Sequence, residues 1–143
     1  MAPRIEVTDS PTDVDKAALL DGLRAYNRAA AGIDVRPIAV WARGDDGRMI
    51  GGLTGRTGGN WLFIEFFWLP ENMRGRGVGS ELIRRAEEEA RARGCIGSWL
   101  DTYSFQAPGF YERHGYEVFG VVEDYPGDAR RYFMKKRLDR PAG

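Results

Sequence analysis

Several things are scarce in this 143-residue chain, and each scarcity removes a class of function. It has one cysteine, Cys95, so no internal disulfide can form, as suits a reducing compartment. It has one histidine, His114, and no ligand-spaced cluster of histidine, cysteine and carboxylate, so no metal site is expected. A basic surplus is missing: 21 Lys and Arg balance 21 Asp and Glu, whereas a nucleic-acid binder normally carries a clear excess. Long apolar runs are missing too. The most hydrophobic stretch, WLFIEFFWLP (61–70), is too short to cross a bilayer and is interrupted by Glu65. The first eleven residues carry Arg4, Glu6 and Asp9 and lack the apolar core of a secretory signal. The expectation is a soluble, cytoplasmic protein with neither a membrane nor a nucleic-acid partner. What is present, 43% hydrophobic and 12% aromatic residues, suits one α/β domain over residues 1–143.

Along the chain, RIEVT (4–8) alternates like a short strand. Ser10, Thr12 and Asp13 then offer helix N-cap chemistry, and Ala17, Ala18, Leu20, Leu23, Tyr26 and Ala30 share one helical face up to Gly32. Gly22 could split that stretch into two helices. IAVWARG (38–44) and RMIGGLTGRT (48–57) read as strands joined by a tight Asp45-Asp46-Gly47 turn. WLFIEFFWL (61–69) completes an antiparallel meander. Because it is apolar on both faces, it should be covered on each side. Val78, Leu82, Ile83, Ala86 and Ala90 keep helical spacing, and Glu81, Arg85, Glu87, Glu89, Arg91 and Arg93 read as a solvated face. IGSWLDTY (96–103) is a strand reached by a parallel crossover. APGFYERHG (107–115) is a short helix, and YEVFGVVE (116–123) and RRYFMKKRL (130–138) form a closing hairpin. The predicted order is β-α-β-β-β-α-β-α-β-β.

The informative segment is MRGRGVGSELIRRAEEEARARG (73–94), where glycines stand directly before a good helix. A helix N-terminus presents unpaired N–H groups and partial positive charge, so it attracts anions. Glycines let the backbone turn its amides inward around a bulky polyphosphate. Arg74 and Arg76 add positive charge. Gly75, Gly77 and Gly79 are followed by no lysine, so a P-loop does not fit. The spacing G-x-G-x-G, entered from an antiparallel meander, does not fit a dinucleotide fingerprint either. The bland alternative is a glycine-rich loop with no ligand.

RGRGVGS (74–80) resembles the R/Q-x-x-G-x-G/A motif of the Gcn5-related N-acetyltransferases, and SFQAPGFYERHGY (104–116) resembles that family's N-x-x-A-x-x-L-Y-E-K-x-G-F segment. Ala107, Tyr111, Glu112 and Gly115 match directly; Phe110, Arg113 and Tyr116 match in character. The element order agrees over nearly the whole chain. The resemblance implies a GNAT-like α/β (α+β) fold, a mixed sheet of about seven strands with helices on both faces. It also implies acetyl-CoA as co-substrate, its diphosphate held by Arg74, Gly75, Arg76, Gly77, Val78, Gly79 and Ser80. The pantetheine arm would lie in a splay beside Phe67, Trp68 and Leu69, near Phe110. Two departures stand out: Ser104 occupies the position of a family asparagine that contacts the CoA arm, and Pro70 falls one position early in WLPENM (68–73).

Acyl transfer to an amine needs a neutral amine, a placed thioester, an oxyanion stabiliser and a proton for the departing sulfur. A backbone N–H near Leu69 could polarise the thioester carbonyl. The resemblance implies Tyr111 as general acid; a packing role for it predicts only a mild loss in Tyr111→Phe. Glu65, in its apolar run, is the candidate base, with an ion pair to Arg43 or Arg56 as the alternative. Asp101 could bind a cationic amine, although a solvent-facing strand position also fits. His114 fits a surface position after the short helix. The small-molecule amine would be met by Tyr26, Asn27 and the stretch to Arg36, together with the hairpin around Asp124–Asp128, while Trp41, Trp68 and Trp99 could line a slot or fill the core. A non-catalytic acyl-CoA-binding or regulatory domain is the rival reading. The aromatic strands also allow a homodimer.

Overall fold

The computed structural model describes residues 2–140. The chain divides into two compact units, residues 1–34 and 35–143.

The first unit is one helix, α1 (Asp13–Ala31). The Thr12 side chain caps it by accepting a hydrogen bond from the Asp15 N–H at 3.1 Å. Asp13 and Asp15 sit in the first turn, where they oppose the positive end of the dipole. Gly32 ends the helix in the left-handed region (φ 67°), its N–H donating to the Arg28 carbonyl. Two expectations fail here. Gly22 does not break the helix, because a lone glycine costs only about 1 kcal/mol and the flanking alanines and leucines carry the turn through. Arg4–Thr8 forms no strand: its alternation finds no partner edge, and an unpaired strand has nothing to hold it.

The second unit is built on a mixed sheet. Its elements are β1 (Arg36–Arg43), β2 (Met49–Gly58), β3 (Trp61–Trp68), a 3₁₀ turn (Glu71–Met73), α2 (Val78–Ala92), β4 (Gly97–Tyr103), α3 (Pro108–Arg113), β5 (Glu117–Val122) and β6 (Arg131–Arg137). Among the described residues the sheet has six strands in the order β1-β2-β3-β4-β6-β5, rather than the seven expected. The β1–β2–β3 meander is antiparallel, β3 and β4 are parallel across α2, and β6 inserts between β4 and β5. Leu53, Leu62, Ile64, Leu69, Leu82, Ile83, Ala86, Ala90, Leu100 and Met134 form the core between the sheet and α2. Cys95 is buried there, and burial pushes its thiol pKa up, as befits a small apolar filler.

Two features of this unit set up the site. The β2–β3 ladder pairs Gly55 with Ile64 and Thr54 with Phe66, so Glu65 is the extra residue of a β-bulge. Before the bulge Leu62 and Ile64 face the core; after it Phe67 and Leu69 do, so the inward parity switches from even to odd. Gly55 is required opposite, since a Cβ there would lie 2.0 Å from the Phe63 carbonyl oxygen. The expectation that β3 is covered on both faces also fails: Phe66 and Trp68 are 68% and 58% exposed.

Candidate active site

The parallel β3–β4 ladder runs from Trp61↔Gly97 to Ile64↔Leu100 and stops there. Beyond it β3 stays paired with β2 up to Trp68, and β4 stays paired with β6 up to Tyr103. The two halves of the sheet therefore part just after Ile64 and Leu100, and the bulge at Glu65 coincides with the point of parting. From Glu65 to Trp68, the β3 edge that faced β4 has no strand partner.

The glycine turn has the conformation its sequence demands. Gly75 and Gly77 adopt φ of 71° and 80°, and an added Cβ at either would meet open space. Both positions thus need glycine for backbone angle rather than for room. Gly77 is the N-cap of α2, and its carbonyl accepts from the Glu81 N–H at 3.1 Å. The N–H groups of Val78, Gly79 and Ser80 precede that first helical bond and are left without intrahelical partners. Gly79 has a different reason: a Cβ there would touch Leu69 and the Phe110 ring at 3.4 Å. It lets α3 pack close against the start of α2. Arg74 turns its Nε onto the Leu69 carbonyl at 3.1 Å, so it braces the loop that leaves β3. Arg76 is exposed and reaches Met73 Sδ at 3.5 Å.

Tyr111 lies on α3. Its ring meets Phe67 edge-on with centroids 6.2 Å apart, which ties it to β3 just past the bulge. Burial pushes its phenol up to a pKa of about 12, with the negative charge of Asp101 as the second cause. The hydroxyl therefore keeps its proton throughout the neutral range. Phe110 packs beside it and also meets Phe67 edge-on.

Two carboxylates flank the start of the opening, each next in sequence to the last paired residue of its strand. Glu65 forms an ion pair with Arg56 at 3.1 Å, and both side chains are nearly half exposed. The apolar surroundings expected for Glu65 are thus replaced by water and a guanidinium. Of the two arginines named from the sequence, Arg43 instead donates to the Gly47 carbonyl. Asp101 is not solvent-facing: its side chain is 15% exposed and pairs with Arg131 at 2.9 Å. The Arg131 guanidinium is enclosed by the Tyr103, Tyr125 and Phe133 rings at 5.3–5.6 Å. One step back on the paired part of the seam, the register partners Phe63 and Trp99 lie with ring centroids 4.2 Å apart.

Other expected residues fall elsewhere. Ser104 closes the β4–β6 ladder, its Oγ accepting from the Arg130 N–H at 3.0 Å and its own N–H donating to the Arg130 carbonyl. Tyr26 and Asn27 lie on α1 in the first unit, with Tyr26 exposed. His114 is half-buried, not superficial: its Nε2 is 2.9 Å from Ser80 Oγ and its ring packs on Phe110. Glu87, read as part of a solvated face, is 3% exposed. It receives Lys136 Nζ at 2.9 Å and the Tyr116 hydroxyl at 2.9 Å, and that hydroxyl also lies 2.8 Å from Ser98 Oγ. The sequence did carry a signal for it. Glu87 falls four residues after Ile83 and three before Ala90, in line with the apolar stripe. Among the described residues no group of three or more His, Cys, Asp or Glu could hold a metal ion, and no helix is long and apolar enough to cross a membrane.

Comparison with known proteins places the chain among relatives of the same fold. The chain is 42% identical to the blasticidin-S acetyltransferase of Streptomyces morookaense over 120 residues, which cover 81% of this chain and 88% of that protein. A crystal structure of an acetyltransferase from Agrobacterium tumefaciens superposes with a TM-score of 0.88 at 35% identity, covering 94% of this chain and 99% of that one. An acetyltransferase from Bacillus cereus superposes with a TM-score of 0.77 at 32% identity, over 92% and 97% of the two chains. The acetyltransferase (GNAT) family pattern matches residues 9–116, the span that holds both the glycine turn and the Tyr111 helix, and the chain belongs to that family of acyltransferases.

Proposed function

We propose that the chain transfers an acetyl group from acetyl-CoA to a primary amine of a small molecule by direct attack in a ternary complex. The observation that carries this reading is the parted β3–β4 seam, with the glycine turn at the start of α2 and Tyr111 beside it. The residues fit the co-substrate. Three unpaired amides and two left-handed glycines suit a diphosphate, and Arg76 and the remaining guanidinium nitrogens of Arg74 supply positive charge. The β3 edge without a strand partner at Phe67 and Trp68, running on to Leu69 whose carbonyl Arg74 holds, suits an amide-rich arm. Acetyl-CoA, when bound, supplies the activated thioester.

The chain's own groups then divide the remaining work. A backbone N–H near Leu69 polarises the carbonyl. Tyr111 donates a hydrogen bond to the departing sulfur. A phenol at about 12 is a weaker acid than a thiol near 8.5, so this bond strengthens as charge builds on sulfur, and full transfer is uphill. Glu65, exposed and able to reach water, takes the amine proton, while Asp101, held by Arg131, favours a cationic acceptor over the Phe63–Trp99 floor. Tyr26 and Asn27 remain assigned to the acceptor on sequence grounds, and Ser104 to the CoA arm, its hydroxyl proton being free to donate.

The test is release of free thiol from acetyl-CoA across a panel of amines that includes blasticidin S, with coenzyme A binding followed by calorimetry. Turnover with at least one amine is expected, and Tyr111→Phe should lower kcat by about a hundredfold with little change in KM. Unchanged turnover in that variant removes the general-acid role. Coenzyme A binding without turnover on any amine overturns the enzyme reading in favour of a regulatory acyl-CoA-binding domain. No binding at all overturns both.

A further inference from the structure

His114 is the single histidine of the chain and stands outside the acyl-transfer groups named above. It is the C-cap of α3, the helix that carries Tyr111. Ser80, 2.9 Å from its Nε2, lies in the first turn of α2. One side-chain bond thus joins the two elements that would meet the co-substrate, and the Phe110 ring fills the space beside it with centroids 4.8 Å apart. We propose that His114 is a positioning residue that decides which way the Ser80 hydroxyl donates, and so couples proton uptake on its imidazole to the grip of the α2 turn on the coenzyme A diphosphate. This rests on reading that turn as the diphosphate site.

The number of available protons sets the direction of this bond. A serine hydroxyl has one proton. A neutral imidazole can accept that proton at Nε2, and Oγ then shows an approaching phosphate only lone pairs. A charged imidazole can only donate. Its Nε2–H occupies an Oγ lone pair, and the serine proton is released toward the anion beside the unpaired amides of Val78, Gly79 and Ser80. A neutral ring that carries its proton on Nε2 donates in the same way, so the hydroxyl selects an Nε2–H ring. The negative charge of a diphosphate then favours the doubly protonated form of that ring. In the free protein the surroundings hold the ring neutral: burial lowers its pKa most. Lys136 on β6, Arg113 on α3 and Arg84 on α2 oppose its charge as well, while the carboxylate of Glu87 on α2 favours it. Binding an anion adds to the Glu87 side of that balance. By linkage, coenzyme A must then bind more tightly as pH falls.

Folding has the opposite sign. A histidine whose folded pKa lies below its unfolded value of about 6.5 contributes stability that is present above that value and lost as pH falls toward the folded one. The free protein should weaken in mild acid while its affinity for coenzyme A improves.

A lone histidine makes the experiment direct, because in tag-free protein the imidazole C2–H resonance belongs to His114 alone. Its titration is followed by NMR with and without saturating coenzyme A. The imidazole pKa should start below the ordinary histidine value and rise by about one unit when coenzyme A binds, the equivalent of a tenfold linkage. In Ser80→Ala the rise should shrink to less than half. Calorimetry of coenzyme A between about pH 8 and pH 5.5 should show roughly tenfold tightening beyond the slope that the ligand's own phosphate, titrating near 6, produces in His114→Gln. The proposal is overturned if coenzyme A binds and leaves the imidazole titration unmoved, or if Ser80→Ala keeps the full rise. Absence of binding at every pH overturns this inference together with the diphosphate reading. If a variant fails to fold, an unmoved titration in the unaltered protein still overturns the proposal, and Ser80→Thr, which keeps the hydroxyl and should keep the full rise, takes over the comparison.

Discussion

The two ends of the β3–β4 seam are made from the same pair of strands and have opposite character. At the closed end the strands pair in register, Leu62, Ile64, Ser98 and Leu100 are buried, and the Trp61 ring fills the space in which a side chain at Gly97 would sit. The residues flanking the strands are tied in as well: the Ile96 N–H donates to the Asn60 carbonyl at 2.7 Å and the Leu138 N–H to the Ile96 carbonyl at 2.8 Å. At the open end the ladder lapses, Phe66 and Trp68 stand exposed, and the polar groups are the surface pair Glu65–Arg56, the largely covered pair Asp101–Arg131 and a tyrosine that keeps its proton. An unpaired strand edge is costly unless something else holds the sheet together. Here the closed end holds it, and α2 connects the two, starting at the glycine turn and burying Glu87 well inside its length.

That division of labour can be broken first at its strong end. Glu87 joins Lys136 and Tyr116 in a buried network backed by Ser98. The network is fully satisfied: among the described residues no buried side-chain polar atom lacks a partner. Burial, followed by the charge of Glu87, pushes the Tyr116 phenol far above its usual pKa, so the phenol keeps its one proton. A carboxylate can only accept, so that proton is donated to Glu87 and the Ser98 hydroxyl donates to the phenol oxygen. Glu87→Ala strands the Lys136 charge and should cost about 3 kcal/mol, the low end for a broken buried pair because Lys136 is partly exposed and can turn to water. Denaturant unfolding should show a lower midpoint at an unchanged slope. A loss below about 0.5 kcal/mol would mean that the closed end does not depend on this network.

The next effect is smaller and falls on the boundary between the ends. Gly55→Ala sets a Cβ against the Phe63 carbonyl at the bulge and should cost about 1–3 kcal/mol as the ladder shifts. Because that shift moves Glu65 and Phe67, acetyl transfer at a temperature where the variant is folded should fall further than its stability suggests. Activity that simply tracks the folded fraction would show that the bulge does not set the opening.

The strong end and the weak end were not equally legible. The meander, the parallel crossover, α2 and its glycine turn follow from local chemistry: turn glycines, capping positions and a 3.6-residue apolar period all lie within a few residues of the element they specify. So does the Tyr111 helix, through Pro108 in its first turn. What failed were readings that depend on distant partners. Arg4–Thr8 alternates, but a strand exists only where an edge accepts it. Glu87 and His114 looked superficial because their partners, Lys136 and Ser80, lie 49 and 34 residues away. Asp101 looked exposed until β6 brought Arg131 beside it. The sequence offered Arg43 and Arg56 to Glu65 without choosing. The register chooses, since it sets Arg56 opposite Phe63, two residues before the bulge, and places the guanidinium 4.7 Å over that ring.

The smallest effect is expected at this last pair, and it separates the two roles given to Glu65. As an ion pair Glu65–Arg56 is weak, since both side chains are nearly half exposed and water screens them. Arg56→Met should therefore change stability by less than about 1 kcal/mol while keeping the side-chain bulk over Phe63. The informative partner is Glu65→Gln, which retains the shape and a hydrogen-bond acceptor but cannot take a proton. If Glu65 only anchors Arg56, kcat/KM should stay within about twofold of the unaltered protein at every pH. If it draws the amine proton through water, kcat/KM should fall by about a hundredfold, and the limb of the pH–rate profile that reports the base should vanish while coenzyme A affinity is kept. Loss of that limb in Glu65→Gln but not in Arg56→Met would assign the base. Its survival in both would leave Asp101, across the opening, as the carboxylate that remains.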